Sequence, residues 1–235
     1  GKMKKTKLIV IIILLVILVA TPLLTSLLNL YIDWLFFTET GYTAVFTKTM
    51  TTQITVGIFF GLLFLGVAAA NVVLARRLDF PRPDLYNISG TPITINLAPL
   101  RTLQRVVTFV ILFVVTVMMG KWGASLWTEA LLFTNTLAVG QQDPVFGKDI
   151  GFYLFEFPLL ESLKQFVDFT LMLSAMLAGV VYFLGGGIVV NQRQVMLDPR
   201  VKRHLGILIG LLIMNMGPGF YLEGLKMLYA EHGVI

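Results

Sequence analysis

The sequence contains no cysteine, few charged residues and only two histidines. The missing cysteine excludes a disulfide scaffold, a cysteine zinc site, an iron–sulfur cluster and a thiol nucleophile. Charged residues make up 13% of the 235 residues, whereas roughly 25% is typical of soluble domains. Hydrophobic residues make up 57%. This balance excludes an ordinary water-soluble domain and a disordered regulator, and it predicts an integral membrane protein.

Long apolar runs predict about five membrane-crossing helices, because about 20 apolar residues are needed to cross about 30 Å of hydrocarbon. The fifth run is the weakest, since Gly217-Pro218-Gly219 interrupts it. The predicted fold is an all-α, polytopic transmembrane helical bundle in a single domain, with interfacial or re-entrant helices on the outer side. The predicted spans lie near residues 8–32, 54–75, 103–125, 169–192 and 205–222.

Basic residues are sorted by segment. The N-terminal tail, residues 76–105 and residues 193–204 carry four, five and four lysines and arginines, whereas residues 33–53, residues 121–168 and the C-terminal piece carry one, three and one. Since cytoplasmic loops are enriched in these residues, we expect a plasma-membrane protein with a cytoplasmic N-terminus and an extracytoplasmic C-terminal end. The sorting also explains the net charge of +5. We therefore expect anionic lipid at the inner loops, and no nucleic acid.

Small residues four apart predict close helix–helix contacts, because association in lipid depends on packing. Glycine is common in such helices, so chance pairs are the alternative. Whether a contact lies within the chain or in a homo-oligomer stays open. The pairs are Gly57 and Gly61, Ala175 and Gly179, and Gly206 and Gly210.

The apolar cores of the predicted spans contain no charged residue. A coupled transporter usually places a carboxylate or an unwound helix near the midplane. Gly185-Gly186-Gly187 and Gly217-Pro218-Gly219 are either unwound points or a flexible helix end and a proline kink, and we favour the second interpretation.

Aromatic residues crowd the predicted outer connections, and all three tryptophans fall there. Amphipathic rings favour the headgroup level of a bilayer. We expect these stretches to lie along the outer leaflet, and an aromatic lipid-binding groove is the alternative. Residues 158–168 are predicted to form a helical lead-in with Pro158 near its first turn.

Three groups of residues stand out as motifs: residues 31–37 with 39–42, residues 71–77 with Arg82-Pro83, and residues 143–153, which are the most specific. In the same order, they resemble an uncharacterised bacterial family of multi-pass membrane proteins, uncharacterised protein family 0182. The resemblance covers nearly the whole chain and implies an N-terminal membrane region followed by a large domain outside the membrane. The chain is therefore expected to be an N-terminal piece of a longer protein. The family has no established activity, so no catalytic residue is transferred.

The chemistry of the family-motif residues indicates turns and caps, although the resemblance gives them no role. Asp143 precedes a proline and opens a turn. Asp143 and Asp149 are either caps or a weak oxygen-only cation site, and we expect caps. The motif residues are Asp33, Trp34, Gly41, Tyr42, Asp143, Pro144, Gly147, Asp149, Gly151 and Tyr153.

The sequence predicts a membrane anchor or assembly domain for an extracytoplasmic region rather than an enzyme. It contains no G-x-S-x-G, H-E-x-x-H or P-loop motif, and we predict no catalytic residue, metal or cofactor. His204 lies among inner basic residues, away from His232. One alternative is a transporter or lipid-handling protein that uses the glycine-broken fourth and fifth helices. Another is an outer-leaflet enzyme, which would need Asp143, Asp149 or Glu156 to converge.

Overall fold

The described part of the chain is mainly helical. The computed structural model describes residues 24–78, 80, 98–191 and 194–227. The chain divides into two compact units, residues 1–52 and residues 53–235. Most of the first predicted span, up to residue 23, lies outside the described residues.

The first unit contains a helix over residues 24–39, α1, and the beginning of α2 (Thr43–Arg77). Between the two helices Gly41 adopts a φ of +77°, a left-handed conformation that glycine adopts without steric cost. The N–H of Tyr42 donates to the carbonyl oxygen of Phe37 at 2.9 Å across this turn. A tight turn therefore joins α1 to α2.

Helix α2 is continuous over 35 residues, which corresponds to about 52 Å at 1.5 Å per residue. The predicted span 54–75 lies wholly within it. The helix begins earlier, at Thr43, because residues 43–53 contain neither glycine nor proline. The hydroxyls of Thr47 and Thr52 donate to carbonyl oxygens four residues earlier in this stretch. The helix ends at two arginines, whose charge suits a helix C-terminus.

Helices α3 (Ala98–Ser125) and α4 (Trp127–Thr134) follow. The predicted span 103–125 lies within α3. Leu126 is the buried junction between the two helices. Helix α4 has eight residues, which gives a length of about 12 Å, so it is too short to cross a bilayer.

Helix α5 (Phe157–Gly185) follows a π-helical turn at Phe152–Glu156. Pro158 lies in its first turn, where the missing N–H of proline costs no hydrogen bond. Residues 158–168 are helical, as the sequence predicts. At the other end Gly186 adopts a φ of +86°, and its N–H donates to the carbonyl oxygen of Phe183. The glycine run therefore caps a helix end and is not an unwound point inside a span.

A two-stranded hairpin follows the cap, and the sequence analysis did not anticipate it. Strand β1 (Ile188–Asn191) pairs antiparallel with β2 (Gln194–Leu197). The predicted span 169–192 therefore differs from α5 at both ends. Residues 188–190 are apolar and β-branched, so they resemble a continuing helix in a hydropathy profile but favour a strand once glycine has ended the helix.

The last two helices are α6 (Pro199–Met214) and α7 (Met216–Lys226). The carboxylate of Asp198 caps α6 by accepting the N–H of Arg200 at 2.8 Å. The interruption between the helices falls at Asn215 and not at Gly217-Pro218-Gly219. The predicted break was placed too late, because proline is tolerated in the first turn of α7.

Side chains of α2, α3, α5 and α6 form the core of the second unit. Phe60 packs edge-on against Trp122 and Phe166, with ring centroids 5.8 and 4.8 Å away. Small residues such as Ala68 and Ala178 are fully buried between the helices. In the described part of the chain, four helical stretches are long and apolar enough to cross a membrane: 43–77, 105–125, 152–185 and 199–226. The predicted helical class is confirmed.

Candidate functional site

The most specific sequence motif lies in a loop over residues 135–151, here called the aspartate loop, between α4 and the π-helical turn. Asp143 is at its centre and is only 3% exposed. Its carboxylate accepts hydrogen bonds at both oxygens. The donors are the N–H groups of Val145, Phe146 and Lys148 and the hydroxyl of Tyr153. The Asp143 carboxylate therefore satisfies three backbone N–H groups of the loop, in addition to the backbone hydrogen bond from the N–H of Asp143 to the carbonyl oxygen of Lys148 at 2.8 Å.

The carboxylate of Asp149 also accepts backbone N–H groups of the loop. Its Oδ1 accepts the N–H of Val139 at 2.9 Å and the N–H of Gly151 at 2.7 Å. Its Oδ2 accepts the N–H of Gly140 at 2.8 Å. The carboxylate thereby ties the beginning of the loop to its end.

Glycines in the aspartate loop serve two purposes. Gly140 and Gly147 adopt φ values of +80° and +65°, a region that favours glycine. Gly151 provides space, because a Cβ there would lie 2.2 Å from the carbonyl oxygen of Leu137. Pro144, next to Asp143, is exposed.

Hydrogen bonding keeps both aspartates ionised. Burial disfavours the charged form of Asp143, but the N–H donors of Phe146 and Lys148 and the Tyr153 hydroxyl outweigh it and lower its pKa. For Asp149, the bonds from Val139 and Gly151 outweigh burial, so its pKa is also lowered.

These carboxylates suit a structural role better than chemistry. Three of the four carboxylate oxygens already accept two hydrogen bonds each, from two N–H groups or from an N–H group and a hydroxyl. Oδ2 of Asp149 accepts one N–H group. Such saturated oxygens are poor general bases and poor metal ligands. Among the described residues no group of three or more histidine, aspartate or glutamate side chains could hold a metal ion. Glu156 is half-buried in the π-helical turn.

The aspartate loop and the π-helical turn pack against α7. Tyr153 and Phe157 form a small buried cluster with Leu225. The ring of Phe146 meets Tyr221 edge-on at 6.2 Å. Motif residues 143–153 therefore fix the loop to α7.

The motif residues Asp33, Trp34, Gly41 and Tyr42 lie in the first unit. Residues 71–77 form the end of α2 in the second unit, and Arg82-Pro83 lies outside the described residues. Asp33 and Trp34 are exposed on α1, and the Trp34 ring stacks on Tyr31 at 5.9 Å. Gly41 makes the left-handed turn described above, and Tyr42 is exposed. These residues shape a helical turn and its aromatic surface.

The first small-residue pair lies where α2 meets α3, here called the α2–α3 seam. A Cβ at Gly57 would lie 2.9 Å from the carbonyl oxygen of Gly120 and 3.0 Å from Cβ of Ala124. A Cβ at Gly61 would lie 3.4 Å from Cα of Gly120. The two backbones therefore approach more closely than larger side chains would allow.

The other pairs have no such neighbour. A Cβ added at Gly179, Gly206 or Gly210 would meet no atom within 4 Å, and Ala175 is half-buried. Within the described residues these positions leave open space beside α5 and α6.

A polar contact that the sequence did not predict joins α2, α5 and α6. Nδ1 of His204 lies 2.6 Å from the hydroxyl oxygen of Tyr182, and Nε2 lies 2.9 Å from Oδ1 of Asn71. The sequence analysis placed His204 among inner basic residues, whereas the structure places it half-buried. Its spacing from buried Val201 and Leu208 could have placed it on the inward face of α6.

A second polar contact joins α5 to the break between α6 and α7. The side chain of Asn215 donates to Oδ1 of Asp168 at 2.8 Å. Oδ2 of Asp168 lies 2.5 Å from Nζ of Lys164, one turn earlier on α5. Nearer the end of α7, Lys226 pairs with Glu161 at 2.6 Å.

The fold and the site define a helical protein with several helices long enough to cross a membrane and a loop held by two hydrogen-bonded carboxylates. Comparisons with known proteins then show its family. The model of an uncharacterised protein family, UPF0182, matches residues 8–235, so the chain belongs to that family.

The curated relatives are also named after this family. The chain is 40% identical over 226 residues to a UPF0182 protein of Geotalea uraniireducens (strain Rf4), covering 96% of this chain and 25% of the relative. It is 41% identical over 212 residues to UPF0182 protein GM21_2279 of Geobacter sp. (strain M21), covering 90% and 24%. The chain thus spans about a quarter of the length of these relatives. No solved structure matches it.

Proposed function

We propose that this chain is a multi-pass plasma-membrane domain that anchors and assembles an extracytoplasmic region. The observation that carries the proposal is the exposure of large apolar side chains on the long helices. Leu62 on α2 is 62% exposed, Phe113 on α3 is 69% exposed and Met214 on α6 is 74% exposed. Water-soluble monomers rarely expose apolar surface on this scale, whereas lipid tails would cover it.

The orientation follows from the basic residues. Arg76 and Arg77 end α2, and Lys202 and Arg203 are exposed in the first turns of α6. In the proposed topology these ends are cytoplasmic, and the aspartate loop is extracytoplasmic.

Two observations support the anchoring role: the structure of the aspartate loop and the length of the relatives. The loop is tied internally by Asp143 and Asp149 and is packed on α7. A rigid outer platform of this kind suits the support of a further domain, and about three quarters of each relative lies beyond the matched part. The chemistry of the saturated carboxylates gives no support to an enzyme.

Two partners belong to the same proposal. Exposed Lys202 and Arg203 on α6 suit the phosphate groups of anionic lipids in the inner leaflet. The open space at Gly206 and Gly210 suits a second helix, including one from a homo-oligomer.

A transporter or lipid-handling protein is the second candidate, and the helix break at Asn215 favours it. Broken helices with polar side chains at the break are typical of transporter sites. The glycine run 185–187 was the other candidate for a break within a helix. Gly186 caps the end of α5 instead, so this run gives the transporter alternative no support. In a transporter Asp168→Asn should abolish solute-dependent stabilisation, whereas in an anchor no solute should stabilise the wild type.

Cysteine labelling tests the anchor proposal, because the chain has no cysteine of its own. Val145→Cys lies on the aspartate loop and should react with an impermeant maleimide on intact cells. Lys202→Cys lies on α6 and should react only after permeabilisation. Both positions are exposed, so the pair is matched. Labelling of Lys202→Cys on intact cells, without labelling of Val145→Cys, would overturn the topology.

A further inference from the structure

The contact centred on His204 holds a titratable group that anchoring does not require. The imidazole lies between α2 and α5, with Asn71 at one ring nitrogen and Tyr182 at the other. Tyr182 is fully buried, and Asn71 is 9% exposed. A single imidazole therefore links α2, α5 and α6 within the helical core.

The neighbours of His204 fix which ring nitrogen carries the hydrogen. Nδ2 of Asn71 donates to the carbonyl oxygen of Val67 at 2.8 Å, which turns Oδ1 of Asn71 toward the imidazole. An amide oxygen only accepts, so Nε2 of His204 is the donor. In the neutral imidazole Nδ1 is then bare, and it accepts the hydroxyl hydrogen of Tyr182. Each link is satisfied while His204 is neutral.

We propose that His204 is a proton-binding site whose occupation loosens the contact between α2, α5 and α6. One proton from water binds to Nδ1, and no other bond forms or breaks apart from hydrogen bonds. Both ring nitrogens are then donors. The Tyr182 hydroxyl then accepts from Nδ1 and turns its own hydrogen away from the imidazole, within a residue that is fully buried. A buried donor without an acceptor disfavours the closed contact.

The charged groups on the packed elements favour release of the proton. Helix α6 carries Arg200, Lys202 and Arg203 close to His204, and α2 ends with Arg76 and Arg77. Residues 173–185 of α5 carry no charge. The carboxylate on these described stretches is that of Asp198, which pairs with Arg200 at 3.0 Å. Among the described residues of these elements, an imidazolium at His204 thus has cationic neighbours and no carboxylate of its own, which favours return of the proton to solvent.

Nitrogen NMR of histidine tests the site directly. The chain has two histidines, so His232→Gln leaves one imidazole in the full chain, studied in lipid nanodiscs with ¹⁵N-labelled histidine. At about pH 8 we expect a neutral ring with hydrogen on Nε2, and at about pH 5 an imidazolium. A ring with hydrogen on Nδ1 at the higher pH, or one that stays neutral at the lower pH, would overturn the proposal.

A matched variant tests the consequence of binding. In the His232→Gln background, His204→Gln offers an amide donor to Asn71 and an amide oxygen to Tyr182, but it takes up no proton. Between about pH 7.5 and pH 5 the unfolding temperature of the parent should fall by about 3 °C more than that of the variant. Equal slopes would show that His204 does not govern the contact. If the variant fails to fold, the NMR result still decides whether the proton binds.

Discussion

The α2–α3 seam and the aspartate loop both depend on glycine, for different physical reasons. In the seam Gly57 and Gly120 allow two regular helices to touch, and a Cβ at Gly57 would lie 2.9 Å from a carbonyl oxygen of the other helix. In the loop Gly140 and Gly147 supply left-handed backbone conformations instead. The seam requires residues without a side chain, whereas the loop requires residues that can adopt a positive φ.

The two regions also satisfy their backbone groups differently. Helices α2 and α3 pair their N–H groups internally, so the seam needs no polar side chain. The loop has few backbone pairs, and the carboxylates of Asp143 and Asp149 accept its N–H groups. In the loop, carboxylate oxygens accept N–H groups that carbonyl oxygens accept in the helices of the seam.

The largest expected effect comes from filling the seam. Gly57→Leu places a side chain against the backbone of Gly120, which cannot move without shifting the whole of α3. We expect a loss of about 3 kcal/mol in the free energy of unfolding, measured in detergent with a chemical denaturant. Gly66→Leu is the control on the same helix, because Gly66 is exposed and a Cβ there meets no atom within 4 Å. It should change stability by less than about 0.5 kcal/mol. Equal effects of the two substitutions would show that the close approach at Gly57 is not a constraint.

The next effect comes from filling the loop. A Cβ in Gly151→Ala would lie 2.2 Å from the carbonyl oxygen of Leu137, so Leu137 and residue 151 must move apart. We expect a loss of about 2 kcal/mol and rapid cleavage of the loop in limited proteolysis, with the seam intact. Gly140→Ala, where only the φ of +80° is strained, should cost about 1 kcal/mol. If Gly151→Ala is cleaved as slowly as wild type, the close approach is not a constraint.

Removing a carboxylate should have a comparable or smaller effect. Asp143→Ala leaves the N–H groups of Val145, Phe146 and Lys148 without their acceptor. We expect a loss of about 1–3 kcal/mol, with a smaller loss for Asp143→Asn, since its amide oxygen still accepts. Protease resistance of the loop and unfolding free energy report the change. An Ala variant as stable as the Asn variant would contradict the role of the carboxylate.

The smallest effect is a pH dependence confined to the loop. The folded-state pKa values of Asp143 and Asp149 are lowered, so their stabilisation is complete above the ordinary aspartate pKa of about 3.9. It is lost as the pH falls through the folded-state values. Protease resistance of the loop should therefore hold from neutral pH to about pH 4 and decline below it. A decline between about pH 7 and pH 5 would contradict this assignment.

The sequence predicted the helical class because long apolar runs such as residues 54–75 can be recognised without knowledge of tertiary contacts. It also indicated turns at Asp143 and Gly147, since aspartate before proline and glycine have local preferences. It did not predict the hairpin, because residues 188–190 are as apolar as the helix before them. It did not predict the partners of His204, because Asn71 and Tyr182 are distant in sequence and meet only when three helices pack.

Amide hydrogen exchange in nanodiscs tests most directly whether the two aspartates hold the loop. The informative amides are those of Val139, Gly140, Val145, Phe146, Lys148 and Gly151. In the wild type these six amides should exchange slowly. Asp143→Ala should expose the amides of residues 145, 146 and 148, and Asp149→Ala should expose those of residues 139, 140 and 151. Fast exchange of all six amides in the wild type, or protection that survives both substitutions, would contradict the account.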